Sequence, residues 1–246
     1  MAPEVALEVS GISKAFDSLP VLKNVNFSIG KGQSGAIIGP NGAGKTTLVN
    51  IISGVFRPSS GSIKLGGKDI AGFASHKVAR MGLVRTYQIT SLFLDLTVAE
   101  NIDVALIGRR KYRSSFEDPE HALPTSQDVL DLVGLTGSEG RPVHELSHGD
   151  QRLLEVGIAV AFNPDVLLLD EPTAGMSPGE TGRFIDLVNA KLRGRCTIIL
   201  IEHDMEVVMR TVDKVCVLAN GEVIAEDAPE LIGKNTFVRE AYLGHS

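Results

Sequence analysis

Residues 39 to 47 read Gly-Pro-Asn-Gly-Ala-Gly-Lys-Thr-Thr, which fits the pattern G-x-x-x-x-G-K-[ST]. The flanks constrain the chain as strongly as the pattern does. The apolar run "SGAIIG" precedes it, and "TTLVNIIS", a plausible helix, follows. Strand, glycine-rich turn and helix start, in that order, make an anion cradle. The glycines let successive backbone N–H groups wrap a phosphate, and the helix N-terminus adds partial positive charge. On this reading Gly39, Pro40, Asn41, Gly42, Ala43, Gly44 and Thr47 surround the phosphates. Lys45 reaches the β- and γ-phosphates, and the Thr46 hydroxyl completes a magnesium ligand set. A glycine-rich turn with a surface lysine would require neither flank.

Such a cradle needs a carboxylate site beside it, and "VLLLDEP" supplies one. Asp170, at the end of an apolar run, can hold magnesium through water, and Glu171 can orient or deprotonate the attacking water. The bland alternative is a polar strand end.

The rest of the chain reads as α/β, with a mainly parallel sheet. "DVLLLD", "CTIILI" and "KVCVLA" are continuous apolar runs of the kind that buried parallel strands show, as "SGAIIG" is. "VALEV", "VNFSI" and "SIKL" form a β-rich, antiparallel N-terminal part, and Asn220-Gly221 signals a hairpin. Between about residues 90 and 150 the character changes. Thr97-x-x-Glu100 and Thr125-x-x-Asp128 read as capping boxes opening two helices, the second ending before Gly134. They predict a helical subdomain over 90–150, inserted into a core of 1–89 and 151–246 within one domain of 246 residues. The charged, proline-broken segment 108–124 between them reads as a solvated loop, with a partner-binding element as the alternative.

"HELSHGDQR", residues 144 to 152, carries two chemistries at once. His144-Glu145-x-x-His148 matches the zinc pattern H-E-x-x-H, which requires both imidazoles on one continuous helix. Pro142 precedes it and Gly149 follows, while Ser147 lies three residues before Asp150, the spacing of a capping box. The helix is therefore predicted to begin at Ser147, leaving His144 outside. Asp150 is expected to turn back to that cap.

With these motifs in order, the chain resembles the nucleotide-binding subunits of ABC transporters over essentially its whole length. The resemblance implies a P-loop NTPase core that binds ATP and Mg2+. In that family a signature beginning Leu-Ser-Gly-Gly-Gln opens a helix and closes over ATP held by a second subunit. Here it reads "LSHGDQ", which keeps Ser147 and Gly149. Ser147 is assigned to capping, to phosphate contact, or to both. The resemblance also implies that Phe16 stacks on adenine, with core packing as the alternative. It gives Gln88 a place on magnesium and water, and makes His203 the switch that contacts the γ-phosphate; a simple helix start is the bland reading of His203. Ser177 stands where an aspartate is usual.

"LIEHDMEVVM", "EPTAGMSP" and "FVREAYLG" resemble the ATPases of branched-chain amino acid uptake systems. That likeness implies partners: multi-spanning permease subunits, a second ATPase in a head-to-tail homodimer or heterodimer, and indirectly a solute-binding protein. Urea and lipopolysaccharide transport ATPases are alternatives, as is an ABC ATPase that works outside transport. The formal charge of −6 weighs against a nucleic-acid partner. "MAPEVALEVS" has acids where a signal peptide is basic, and no apolar run approaches the roughly 20 residues of a membrane helix. The expectation is a soluble chain held by others at the cytoplasmic face of the membrane. Cys196 and Cys216 lie in apolar runs and read as buried thiols.

Overall fold

The computed structural model describes residues 4–86, 92–113 and 124–243. Strands β1 (Val5–Phe16) and β2 (Leu19–Gly30) form a long antiparallel hairpin, followed by β3 (Ser34–Ile38) and helix α1 (Lys45–Ile52). Strands β4 (Ser60–Leu65) and β5 (Lys68–Asp69) return to that hairpin, and then come α2 (Ser75–Arg80) and β6 (Leu83–Arg85). Helices α3 (Val98–Arg113), α4 (Ser126–Val133) and α5 (His148–Ala161) follow, the last entered through a 3-10 turn at Val143–Glu145. The remainder alternates: β7 (Val166–Asp170), α6 (Pro178–Leu187), β8 (Thr197–Ile201), α7 (Met205–Thr211), β9 (Lys214–Ala219), β10 (Glu222–Asp227), α8 (Pro229–Ile232) and α9 (Thr236–Leu243).

The strands make two sheets. One is antiparallel and four-stranded, in the order β2-β1-β4-β5; the other is six-stranded, in the order β10-β9-β3-β8-β7-β6. In the second sheet β9, β3, β8, β7 and β6 run parallel, and β10 folds back as the antiparallel hairpin partner of β9. This is the P-loop NTPase α/β fold, with the β-rich N-terminal part and the mainly parallel sheet that the apolar runs predict.

Alternation within those runs explains why they carry no polar face. Ile37, Leu168, Ile199 and Leu218 enter one core, shared with β1, β2 and α1. Ile38, Leu167, Leu169, Ile198, Leu200 and Val217 enter the other, shared with α4, α5 and α6. A strand covered on both sides must be apolar on both, and each such Leu or Ile contributes about 1.5–3 kcal/mol on burial.

The capping boxes fall where their spacing puts them. The Thr97 N–H and hydroxyl donate to Glu100 Oε2, at 2.8 and 2.9 Å. Thr125 closes the same ring with Asp128 Oδ2, and Gly134 ends α4 in the left-handed region. Helices α3, α4 and α5 pack on one another, and α5 runs on past residue 150 as far as Ala161, straight towards β7. Both cysteines are buried and unpaired. Among the described residues, no helix is long and apolar enough to cross a membrane.

Candidate nucleotide site

Parallel strands gather loops at their C-terminal ends. Here β3 ends in the glycine-rich loop, β7 in Asp170-Glu171 and β8 in Glu202-His203. Because β7 pairs with β8 and β8 with β3, all three arrive on one edge of the sheet. The phosphate cradle and all three carboxylates thus share a neighbourhood.

The loop is held tightly. Gly39 lies at φ 154° with the Leu218 carbonyl where a Cβ would stand, so a side chain is excluded there. Gly44, at φ 100°, is the residue from which α1 starts, and Lys45 opens the helix. The Lys45 ammonium donates to the carbonyls of Gly39, at 2.6 Å, and Pro40, at 3.0 Å. Burial pushes its pKa below the usual lysine value, and the Glu171 carboxylate opposes that shift. Thr46 follows on the exposed side, half-buried Thr47 is next, and Asn41 and Gly42 are exposed at the loop tip. Ala43 is buried beneath the loop. Its carbonyl accepts from Gly221 N–H at 3.1 Å, while the Gly221 carbonyl accepts from Lys23 N–H at 2.8 Å. One glycine in the β9–β10 turn therefore ties the loop to β2.

Asp170 is buried, and its Oδ2 accepts from an Arg85 guanidinium nitrogen at 2.7 Å. The next residue, Glu171, sits at φ 47°, an unusual conformation for a glutamate, anchored by its N–H on the Ile201 carbonyl at 2.9 Å. Strain of this kind is kept where a side chain must be aimed. Beyond it, Thr173 donates from N–H and hydroxyl to Oε1 of the fully buried Glu202, at 3.1 and 2.6 Å. Glu202 Oε2 accepts from the His203 N–H at 3.1 Å and lies 3.9 Å from His203 Nδ1. The His203 ring itself is mostly exposed.

Phe16 is 40% exposed at the end of β1, which rules out core packing. Its ring meets Phe56 edge-on, with centroids 5.4 Å apart, and Lys14 Nζ stands 4.9 Å from its centroid. Gln88 lies outside the described residues.

At the start of α5, Ser147 is the N-cap and accepts from Asp150 N–H at 3.1 Å. His144 stays in the 3-10 turn, its Nδ1 3.0 Å from the Leu94 carbonyl, so the two histidines do not share a helix. Among the described residues no cluster suits a metal of that kind. One expectation is corrected. Asp150 does not turn back to the cap but pairs with Arg183 of α6, Nη1 to Oδ1 at 2.8 Å. The acceptor that closes on the cap is Glu180, also from α6: its Oε1 takes the Ser147 hydroxyl at 2.8 Å and the Gly149 N–H at 3.1 Å. With Arg85, Glu202 and Glu180, three residues enter the site that motif reading passes over.

Fold and site together define a P-loop ATPase cassette. The ABC transporter family model matches residues 22–174. The branched-chain amino acid transport ATP-binding protein BraF of Pseudomonas aeruginosa is 39% identical, with 98% of each chain covered. Its counterpart LivG of Escherichia coli K12 is 38% identical over the same share of both chains, and a probable LivG of Archaeoglobus fulgidus is 35% identical, covering 97% of this chain and 95% of its own. Among solved structures, the ADP conformation of an ATP-binding cassette of an ABC transporter superposes with a TM-score of 0.84, at 29% identity, covering 98% of this chain and 99% of that one. The chain belongs to the ABC transporter family, as one of its ATP-binding, ATP-hydrolysing members.

Proposed function

We propose that this chain powers an importer for branched-chain or other hydrophobic amino acids, from the cytoplasmic face of the membrane. Residues 1–89 and 151–246 act as the nucleotide-binding core, and 90–150 as the helical part that ends at the signature. Two cassettes, alike or different, pair head to tail on multi-spanning permease subunits fed by a solute-binding protein, and no nucleic acid takes part. The observation that carries the transport reading is the level of likeness to BraF and LivG along the full chain.

Within each cassette the loop 39–47 cradles the phosphates and Lys45 leaves its own carbonyls for them. Phe16, exposed beside Lys14, offers an aromatic face to the adenine. The oxygen ligands on offer are the Thr46 hydroxyl, in the first turn of α1, and the Asp170 carboxylate, at the end of β7, which suit a hard, oxygen-seeking cation. Those two, with Gln88, would hold Mg2+. When bound, the ion neutralises charge on the β- and γ-phosphates. Glu171 takes the proton of the attacking water, and His203, steadied through Glu202, reaches the γ-phosphate. Ser147 and Gly149 serve the nucleotide of the paired cassette.

The test is to tag the Glu171→Gln chain, trap it with ATP in detergent-solubilised native membranes, and identify what co-purifies by mass spectrometry. Permeases with a sibling ATPase and a solute receptor are the expected result. Recovery of ribosomal or DNA-bound partners without a permease would overturn it.

A further inference from the structure

Among the described residues three capping boxes look alike, but one does something extra. In the Thr97–Glu100 and Thr125–Asp128 boxes a single carboxylate oxygen takes both donors of the cap residue. In the third, Glu180 Oε2 likewise takes the Ser177 N–H at 2.9 Å and the Ser177 hydroxyl at 2.8 Å, which completes the cap of α6. Its other oxygen is spent elsewhere. Oε1 reaches the start of α5, where it accepts from the Ser147 hydroxyl at 2.8 Å and the Gly149 N–H at 3.1 Å. Capping alone gives no reason for that second pair of bonds.

The two donors are those that the signature would turn towards a phosphate. Each carries one proton. While Glu180 holds both, a phosphate oxygen can take neither, and a carboxylate beside the site repels a phosphate besides. Gly149 is what allows the approach, since a Cβ there would come within 2.6 Å of Glu180 Cγ. The 14-residue helix behind adds its positive end, which suits whichever anion is present.

We propose that Glu180 is an internal anion that closes the signature of the single cassette and must give it up before the γ-phosphate of the paired cassette can bind. This rests on the head-to-tail reading above. Release leaves Oε2 on Ser177, so α6 keeps its cap while α5 becomes available. The consequence is a threshold: pairing occurs only when the incoming triphosphate outcompetes Glu180.

Glu180→Asp separates the two duties, because aspartate closes a capping box at this position, as Asp128 does, but is one methylene too short to reach α5 as well. Two measurements suffice, both on the full chain in the Glu171→Gln background. In the nucleotide-free chain, NMR hydrogen exchange of the Gly149 amide should quicken about tenfold in Glu180→Asp, the scale of losing one charge-assisted bond. In sedimentation with Mg-ATP, the ATP concentration for half-maximal pairing should fall by about the same factor. Unchanged Gly149 exchange would overturn the proposal, as would an unchanged or raised ATP requirement despite faster exchange. If neither chain pairs at any ATP concentration although both bind ATP, the head-to-tail reading fails and takes this inference with it.

Discussion

Arg85 and Asp170, 85 residues apart in sequence, form a buried ion pair in which both side chains are 6% exposed. The same guanidinium donates to Asn50 Oδ1 at 2.6 Å and Ser53 Oγ at 3.0 Å, in the second half of α1 and at its C-terminal cap. One side chain therefore joins β6, α1 and Asp170, the residue proposed to hold magnesium. Removing it leaves a buried carboxylate uncompensated, which costs about 3–5 kcal/mol in comparable sites. Arg85→Ala should lower the urea midpoint accordingly, and Arg85→Lys should recover only part of it, lacking the planar fork. An unchanged midpoint in Arg85→Ala would mean the pair is energetically idle.

Glu171→Gln and Lys45→Ala should fail at different steps. On the roles proposed above, the first keeps the cradle and loses the carboxylate assigned to the proton of water, so it should bind ATP, pair and hydrolyse very slowly. The second loses the cation that meets the phosphates and should fail at binding. Fluorescent-nucleotide titration and sedimentation in ATP separate them; equal pairing of the two variants would break this division of roles.

Glu202 is buried and reads both sides of the reaction edge, through Thr173 and His203. Glu202→Gln keeps the shape and halves the acceptor capacity, so one donor is left without its charged partner at a cost of about 1–3 kcal/mol. Thermal unfolding should show that loss, and ATP turnover should drop with it. A variant that lost turnover at unchanged stability would place Glu202 in the switch alone.

Hydrogen bonds from Ser177 and Ser147 hold the Glu180 carboxyl down at about 2. The native pKa is thus below that of the unfolded chain. The stabilisation is complete above about pH 4.5 and fades as pH falls towards 2. Carboxyl NMR of Glu180 should therefore show no titration between pH 4.5 and 8. Glu180→Asp breaks the bonds to α5, so its carboxyl midpoint should rise towards the ordinary range.

Burial pushes the Cys196 thiol up to about 11 and the Cys216 thiol to about 12. At pH 8 both should be inert to thiol reagents in the native chain and react together on unfolding, because the thiolate is the nucleophile. Rapid labelling of either in native buffer would contradict their burial.

Much of the fold was legible because its signals are local. Continuous apolar runs marked β3, β7, β8 and β9, and threonines three residues before an acid marked two helix starts. The phosphate loop, Asp170 and Glu171 stand out as candidates for the same reason: each is a short pattern at a strand end, and the structure brings them to one edge of the sheet. Strand β6 escaped because three residues, Leu83–Arg85, are too few to show a period. Arg85, Glu202 and Glu180 escaped because each acts across the fold, at separations of 85, 29 and 33 residues. Asp150 was misjudged for that reason too: its spacing from Ser147 is right for a cap, but Arg183, on another helix, offers a full charge. Gln88 falls outside the described residues, so its assignment still rests on resemblance.

Gly221 donates to the phosphate loop and accepts from β2 through the two sides of a single residue. The sheet that carries Phe16 and the loop that carries Lys45 are therefore bridged through one backbone residue, above the apolar core that β1, β2 and α1 share. In the binding mode proposed above, a nucleotide with its base on Phe16 and its phosphates on the loop would lie across the two parts that this residue joins. The turn between β9 and β10, which touches no ligand in this scheme, would then set the spacing between base and phosphate. Lengthening it by one residue would change what the cassette accepts as a fit before it changed any residue that does chemistry.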